Sequence, residues 1–274
     1  MTIAFVPSRL ANLEVFRDSE LSELHLLAQA SPLHGLLQDP AWREASAIDF
    51  AYTSSLVEGN TYSREDAIAL LTAGTIAPGK RPQETQMLQN LRDAHALILD
   101  NAHEIVRAGL AGYREIHTML MRGILPAEQL GATRSTRLVR ITGTDYMPPD
   151  GAAYLDRRAA EIMAGLGHAA NPFDACLYAA CNLSYLQLFE DGNKRASRVF
   201  QNAILIAADL PPVLFPPSMI DAYMGAQLVY YETGDFLMHR GFVLDAYRRA
   251  FRGPSGARYA RPVPTHSCSQ SRPN

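Results

Sequence analysis

Positive charge is not in surplus in this 274-residue sequence: 25 Lys and Arg stand against 28 Asp and Glu, a formal net charge of −3. A nucleic-acid surface usually needs a basic face, so that partner class is not expected. Cysteine is scarce as well. Cys176, Cys181 and Cys268 are an odd set without metal-ligand spacing, which predicts reduced thiols rather than a disulfide framework or a zinc site. No run of about 18 uncharged apolar residues occurs, so no membrane-spanning helix is expected. Met1 to Leu10 lack the basic stretch and long apolar run of a secretion signal. A cytoplasmic protein is the expectation, although a secreted bacterial effector would share these features.

What remains is a chain with 47% hydrophobic residues, ample for a buried core. Most of it carries helical spacing. Leu21 to Gln38 reads as helix interrupted at Pro32, and Pro40 stands at a good helix start. Trp42 to Leu56 predicts one helix, and Ser63 an N-cap for the next, which ends near Gly74. Further helices are expected over Glu84–Ala108, Tyr113–Ile124, Asp156–Gly165, Phe173–Leu188, Ala196–Asp209, Met219–Glu232 and Phe236–Phe251. Arg137 to Thr142 alternates and is β-branched, then turns at Gly143, which predicts a small hairpin. Gly253 to Asn274 is rich in Pro, Ser and Arg and predicts a disordered tail. The fold class is therefore mainly α with one small β-hairpin.

Between two apolar helical stretches lies Gln187-Leu-Phe-Glu-Asp-Gly-Asn-Lys-Arg-Ala-Ser-Arg198. Such a loop opens into a helix N-terminus, where free N–H groups and the positive dipole end point outward. Arg195 and Arg198 share one side of the first turn. Glu190 and Asp191 beside them suit a hard cation such as Mg²⁺. Together these groups suit a nucleoside triphosphate with its metal.

This stretch resembles the motif H-x-F-x-[DE]-G-N-[GK]-R-x-x-R of the Fic (Fido) family of protein adenylyltransferases. Phe189, Asp191, Gly192, Asn193, Lys194, Arg195 and Arg198 match it; Gln187 stands where the motif has its general-base His. The resemblance implies ATP and Mg²⁺ as ligands and a helical bundle with a hairpin flap. Asp191 would hold the metal. Gly192 and Asn193, by N–H groups and side chain, would cradle the α-phosphate beside Lys194. Arg195 would hold the β-phosphate and Arg198 the γ-phosphate. Ser54-x-x-x-Glu58-Gly59 resembles the family's inhibitory motif, whose Glu pairs with the second Arg of the loop, here Arg198. The same residues also read as a plain helix end with Gly59 at C′. The hairpin at Arg137, Val139, Ile141 and Gly143 would be the flap that clamps a target's backbone; a purely structural hairpin fits it as well.

These features organise the chain as an N-terminal helical region over 1–110 with the inhibitory Ser54–Gly59, a Fic core over 111–252 and a tail over 253–274. The implied reaction is AMP transfer to a Tyr, Thr or Ser hydroxyl of a target protein, restrained by Glu58. Homodimer formation stays open. Gln187 supplies no basic group near neutrality, so two rival readings stand: a catalytically impaired nucleotide-binding module, or a Doc-like kinase, the branch in which a Lys at position 194 also occurs.

Overall fold

Apolar residues spaced by three and four become helix almost everywhere they occur. The computed structural model describes residues 2–135 and 139–251. In chain order the helices are α1 (Asp18–Gln29), α2 (Leu33–Leu37), α3 (Pro40–Val57), α4 (Arg64–Ala73), α5 (Pro82–Arg107), α6 (Leu110–Met121), α7 (Ala152–Leu166), α8 (Pro172–Leu186), α9 (Asn193–Ala207), α10 (Ile220–Thr233) and α11 (Leu237–Phe251). The expected ends are met where a cap is written in the sequence. Asp39 accepts the Ala41 N–H at the start of α3, Ser63 accepts the Asp66 N–H at the start of α4, and α4 ends on a left-handed Gly74.

The centre of the molecule is the pair α8 and α9. Every residue of α8 from Phe173 to Leu186 is buried, as is α9 from Arg195 to Ile206. A helix buried all round must lie inside the bundle. On one side α5 lies along α9 and also carries α3; α6 covers the start of α9, and α7 covers α8. Helix α10 reaches both α3 and α8, and α11 packs on α10 and α1. One continuous apolar core joins these helices. Helix α5 is thus a common frame for α3 and α9, the two helices that carry the motif residues.

The mainly helical architecture with one small two-stranded sheet stands as expected, but the strands pair differently. Strand β1 (Ile3–Ala4) runs parallel to β2 (Tyr146–Met147), with Ile3 opposite Tyr146. The expected local hairpin falls in part on residues 136–138, outside the described residues, and 139–145 hold no strand. Aromatic packing accounts for the long-range partner. Phe5 and Tyr146 both stack on Tyr185 of α8, with ring centroids 4.8 and 4.4 Å away. The Tyr185 hydroxyl also accepts the Val6 N–H at 3.0 Å. Residues 2–17, ahead of α1, follow the surface of α8 with one short 3-10 turn at Pro7–Ala11. The stretch expected to be a tail, 253–274, lies outside the described residues. None of the described helices is long and apolar enough to cross a membrane.

Asp174, in the first turn of α8, ties this arm down. Its Oδ1 accepts the N–H groups of Val15 at 3.1 Å and Phe16 at 2.8 Å, and it is almost fully buried. Asp174→Ala leaves both donors unsatisfied and should destabilise the fold by about 2–3 kcal/mol. A denaturant titration measures the loss; an unchanged midpoint would mean the arm is not fastened there.

Candidate functional site

The loop between α8 and α9 is shaped by groups that hold its backbone. Gln187 ends α8 in the left-handed region, φ 52 and ψ 57, an uncommon place for a side chain with a Cβ. Buried Arg134 donates from Nε to the Gln187 carbonyl at 2.7 Å and from Nη2 to the Pro149 carbonyl, while its own N–H reaches the Leu188 carbonyl at 2.9 Å. Asn193 closes the loop from within: Oδ1 accepts the Phe189 N–H at 2.8 Å, and Nδ2 donates to the Phe189 carbonyl at 2.8 Å. Gly192 has φ 78, and a Cβ there would sit 2.6 Å from Met121 Sδ, so only glycine lets the loop seat on α6. Phe189 points inward and stacks on His117, with centroids 3.7 Å apart.

His117 is the imidazole beneath the loop. Its Nδ1 accepts the Gly131 N–H at 2.9 Å, which leaves Nε2 to donate to the Asp191 carbonyl at 2.9 Å. Both ring nitrogens are therefore engaged in the neutral tautomer. Burial pushes its pKa down to about 4. His117 supports the loop and offers no free nitrogen to a substrate.

Above this base the charges converge. α9 begins at Asn193 with no side-chain cap on its first N–H groups. Arg195 and Arg198 point back from its first turns, with side chains 3% and 4% exposed. Glu58, the C-cap of α3, puts Oε1 2.9 Å from Arg198 Nη2 and Oε2 4.0 Å from Arg195 Nε. The Ser54 carbonyl accepts from the same Arg198 nitrogen at 3.3 Å, so Ser54 takes part through its backbone. Burial pushes the Glu58 carboxyl up, but Arg198, Arg195 and Lys194 pull it down further, and the net direction is down. Gly59, φ 80, ends the helix: its N–H goes to the Leu56 carbonyl and that of Asn60 to the Ser55 carbonyl. This is a Schellman end with Gly59 at C′, but Glu58 is not solvated as in a plain helix end: its side chain is 13% exposed and paired with Arg198.

The turn after Glu58 is bolted to α5. Buried Glu84 accepts the Thr61 N–H at 2.8 Å and is paired with Arg81 at 3.1 Å, and its carbonyl accepts from Asn60 Nδ2 at 2.9 Å. The Arg81 contact, with the Thr61 N–H, outweighs burial and holds the Glu84 carboxyl down at about 2.

Several expected roles shift. Asn193's side chain is spent on Phe189 and on Gln187 Oε1 at 3.3 Å, and the Gly192 N–H goes to Asp191 Oδ1. Neither is left for a phosphate, because the tight loop needs both groups to hold its own backbone. Glu190 turns to Ser135, accepting its N–H at 2.7 Å, so Asp191 is the carboxylate that faces outward. Asp191 is 57% exposed and pairs with Arg195 at 2.8 Å; burial raises its pKa, Arg195 and the Gly192 N–H lower it more, and the net is down. Gln187 is 9% exposed and faces inward: Nε2 donates to the Ser184 carbonyl at 2.7 Å. Lys194 is half-buried near Glu58. Of the flap residues, Arg137 lies outside the described residues; Val139, Ile141 and Gly143 are in non-strand backbone, with Gly143 against Leu228 of α10. Sequence reasoning missed Arg134, His117 and Tyr223, which donate to, support or accept from the loop across long sequence distances.

Three buried guanidinium nitrogens have no hydrogen-bond partner among the described residues: Arg195 Nε, Arg195 Nη1 and Arg198 Nε. Orphaned donors of this kind, next to uncapped helix N–H groups, fit a polyanion. Among the described residues no three His, Cys, Asp or Glu side chains cluster as a metal site. A Mg²⁺ ion would fit here with Asp191 as one carboxylate ligand and phosphate oxygens and water as the others, its usual pattern.

Residues 107–205 match the Fic/DOC family. Protein adenylyltransferase fic-1 of Caenorhabditis briggsae is 26% identical over 175 residues, covering 61% of this chain and 33% of its own length. Protein adenylyltransferase Fic of Culex quinquefasciatus is 27% identical over 208 residues, covering 74% of this chain and 40% of its own. The chain thus spans about a third of the length of the first of these curated relatives. Among solved structures, a Fic-1 fragment from C. elegans superposes with TM-score 0.72 at 21% identity, covering 89% of this chain and 71% of that one. A Fic family protein from Desulfovibrio desulfuricans G20 gives 0.71 at 21% identity, covering 94% and 78%. These likenesses establish the fold.

The buried imidazoles predict a pH response. His117 at about 4, His95 at about 3 and His239 at about 4 all lie below the ordinary 6.5, because burial disfavours the charged ring. Between those values the unfolded chain binds protons that the folded chain does not. Stability therefore rises with pH in this window and falls as pH drops from 6.5 towards 4. His117→Gln keeps one donor and one acceptor but does not titrate, so its melting temperature should decline less over that range. Superimposable pH profiles for wild type and variant would exclude His117 as a contributor.

Proposed function

We propose, from the match of residues 107–205 to the Fic/DOC family, that this protein binds ATP with Mg²⁺ on the 187–198 loop, that Glu58 restrains this binding, and that AMP transfer to a protein hydroxyl is impaired by Gln187. The observation that carries the reading is the buried pair Arg195 and Arg198, with Glu58 on Arg198, Asp191 on Arg195, and three guanidinium nitrogens still without a hydrogen-bond partner among the described residues. Glu58 is the intramolecular counterpart of a phosphate: it occupies the guanidinium edge that a triphosphate's terminal group would need.

Each group then has a role its chemistry suits. The uncapped N–H groups at the start of α9 receive the α-phosphate. Arg195 turns its free nitrogens to the β-phosphate, and Arg198 turns to the γ-phosphate once Glu58 withdraws. Mg²⁺, when bound, neutralises phosphate charge beside Asp191. The region 1–110 supplies the restraint and 111–252 the nucleotide site. A target segment would lie along the flap between Val139 and Gly143.

The transfer step needs a group to take the hydroxyl proton. Gln187 has no such capacity, and its amide is already bonded to Ser184 and Asn193. His117 has both nitrogens engaged. Loss of a general base typically slows a reaction by roughly 10²–10⁴. The site therefore supports binding more strongly than turnover. Nothing in its geometry favours a reversed, kinase-like placement of the triphosphate.

Calorimetry tests the binding. Glu58→Gly should tighten ATP about 10- to 100-fold, the range for one charge-assisted bond of about 1.5–3 kcal/mol, and leave AMP nearly unchanged. Arg195→Ala should weaken ATP by a similar factor. Equal affinities in all three proteins would sink the phosphate assignment.

Labelling tests the chemistry. With ATP labelled on the α- or γ-phosphate, Glu58→Gly should transfer little of either label. Glu58→Gly with Gln187→His should gain α-label transfer by roughly 10²–10⁴. Robust transfer by Glu58→Gly alone would require another base, and γ-label transfer would favour a kinase.

A further inference from the structure

The bonds of Arg198 divide between two sides. On one, Nη2 meets Glu58 and the Ser54 carbonyl. On the other, Nη1 donates to the Tyr223 hydroxyl on α10 at 3.2 Å, and the guanidinium carbon lies 5.3 Å from the Tyr223 ring centroid. Tyr223 is buried, stacked on Phe215 at 5.6 Å and packed against Phe242 at 5.5 Å and His239 at 5.9 Å. The ring therefore has little freedom to follow Arg198; Arg198 must come to it.

A directed chain continues inward. The Tyr223 hydroxyl donates to Gln227 Oε1 at 3.4 Å, and Gln227 Nε2 donates to Ser184 Oγ at 2.8 Å. Ser184 Oγ donates to the Ala180 carbonyl at 2.7 Å, and the Ser184 carbonyl accepts from Gln187 Nε2. With its own proton given to Gln227, the Tyr223 oxygen faces Arg198 as an acceptor only. Gln227 thus fixes the direction of the Tyr223 hydroxyl, and Ser184 links the two ends of the chain, Arg198 and Gln187.

We propose that Tyr223 is a positioning residue of the nucleotide site, which holds Arg198 in place whether Glu58 or a terminal phosphate occupies the other edge of the guanidinium. The inference rests on the ATP-binding reading above. Its physical basis is charge. Glu58 competes with a phosphate because both are anions. Tyr223 is neutral and binds a different nitrogen, so it fixes the guanidinium without neutralising it or blocking the free edge. A fork already fixed loses less freedom when a phosphate arrives. Without this contact, withdrawal of Glu58 would leave the Ser54 carbonyl as the remaining hydrogen-bond acceptor for Arg198 among the described residues, and Arg198 would search more rotamers before meeting the ligand.

The test uses Tyr223→Phe in the Glu58→Gly background. Phenylalanine keeps the ring packing and the ring face and removes only the hydroxyl. ATP affinity should fall roughly 10-fold, as for one lost bond to a charged group, while AMP affinity, which needs no Arg198, stays the same. AMP binding is also the control for an intact site. Gln227→Met, which frees the Tyr223 hydroxyl to turn, should produce a smaller fall with the same ATP-only pattern. ATP affinity unchanged in Tyr223→Phe would overturn the positioning role. So would parallel losses of ATP and AMP, which would mark Tyr223 as structural only. If Glu58→Gly itself binds neither nucleotide, the ATP-binding reading fails first, and that outcome is separate from the other two.

Discussion

A buried guanidinium without an anion is expensive, and the arrangement of this molecule answers that constraint at Arg198. Its side chain is 4% exposed and lies in the middle of the bundle. Glu58 is the counter-charge, and its carboxyl stays ionised because the two arginines and Lys194 outweigh its own burial. Removing one partner of such a pair leaves an uncompensated charge, which commonly costs about 3–5 kcal/mol. The docking of α3 is therefore tied to the occupancy of the arginine site. Either the carboxylate is present, or something anionic must replace it. If Glu58 acts as the proposed restraint, a competing anion would suffice to release it.

The rest of the site follows from holding a strained loop still. Gln187 sits at positive φ, Gly192 also does, and between them the chain must aim the start of α9 outward. Arg134, His117 and Asn193 each bond backbone groups of that loop. Their hydrogen bonds run to carbonyls and N–H groups, so they fix geometry without depending on neighbouring side-chain identity. The two halves of the molecule meet on α5, whose first turn holds the end of α3 through Glu84 and whose length lies along α9. The distance from Glu58 to Arg198 is set by that shared helix.

Much of this was readable in the sequence, and the limits have a physical pattern. Helix α8 announces itself because burial on all sides demands mostly apolar residues, and α9 because Val199, Phe200, Ala203, Ile204 and Ala207 recur at helical spacing even though Arg195, Arg198, Gln201 and Asn202 are buried beside them. The loop's residue types at fixed spacing suggest one chemistry, whereas Ser54–Gly59 alone reads as a helix end, and Glu58 is expected beside Arg198 only through the family resemblance. What stayed hidden depends on long-range approach. Tyr223 reads as one more apolar residue of α10; only the fold brings it to Arg198, 25 positions earlier. Arg134 looks like a surface charge in a loop. The pairing of Ile3 with Tyr146 has no local signal, since the strand is two residues long and held by stacking on Tyr185. Asn193 was assigned to a ligand when its side chain serves the loop, because sequence does not say whether an amide faces in or out.

The balance between binding and turnover can be argued from which groups carry energetic strain. Arg195 Nε, Arg195 Nη1 and Arg198 Nε are buried without partners, and unsatisfied buried donors cost about 1–3 kcal/mol each, more when charged. Three such donors on one turn are hydrogen bonds that an anion could satisfy. Gln187 shows the opposite. Its amide donates to Ser184, accepts from Asn193 and is 9% exposed, so the position where a base would stand carries no unmet bond. Unmet hydrogen bonds are concentrated where a phosphate would bind and absent from the Gln187 side-chain amide. That asymmetry supports the proposed reading of a nucleotide-holding site whose transfer step would lack its proton acceptor.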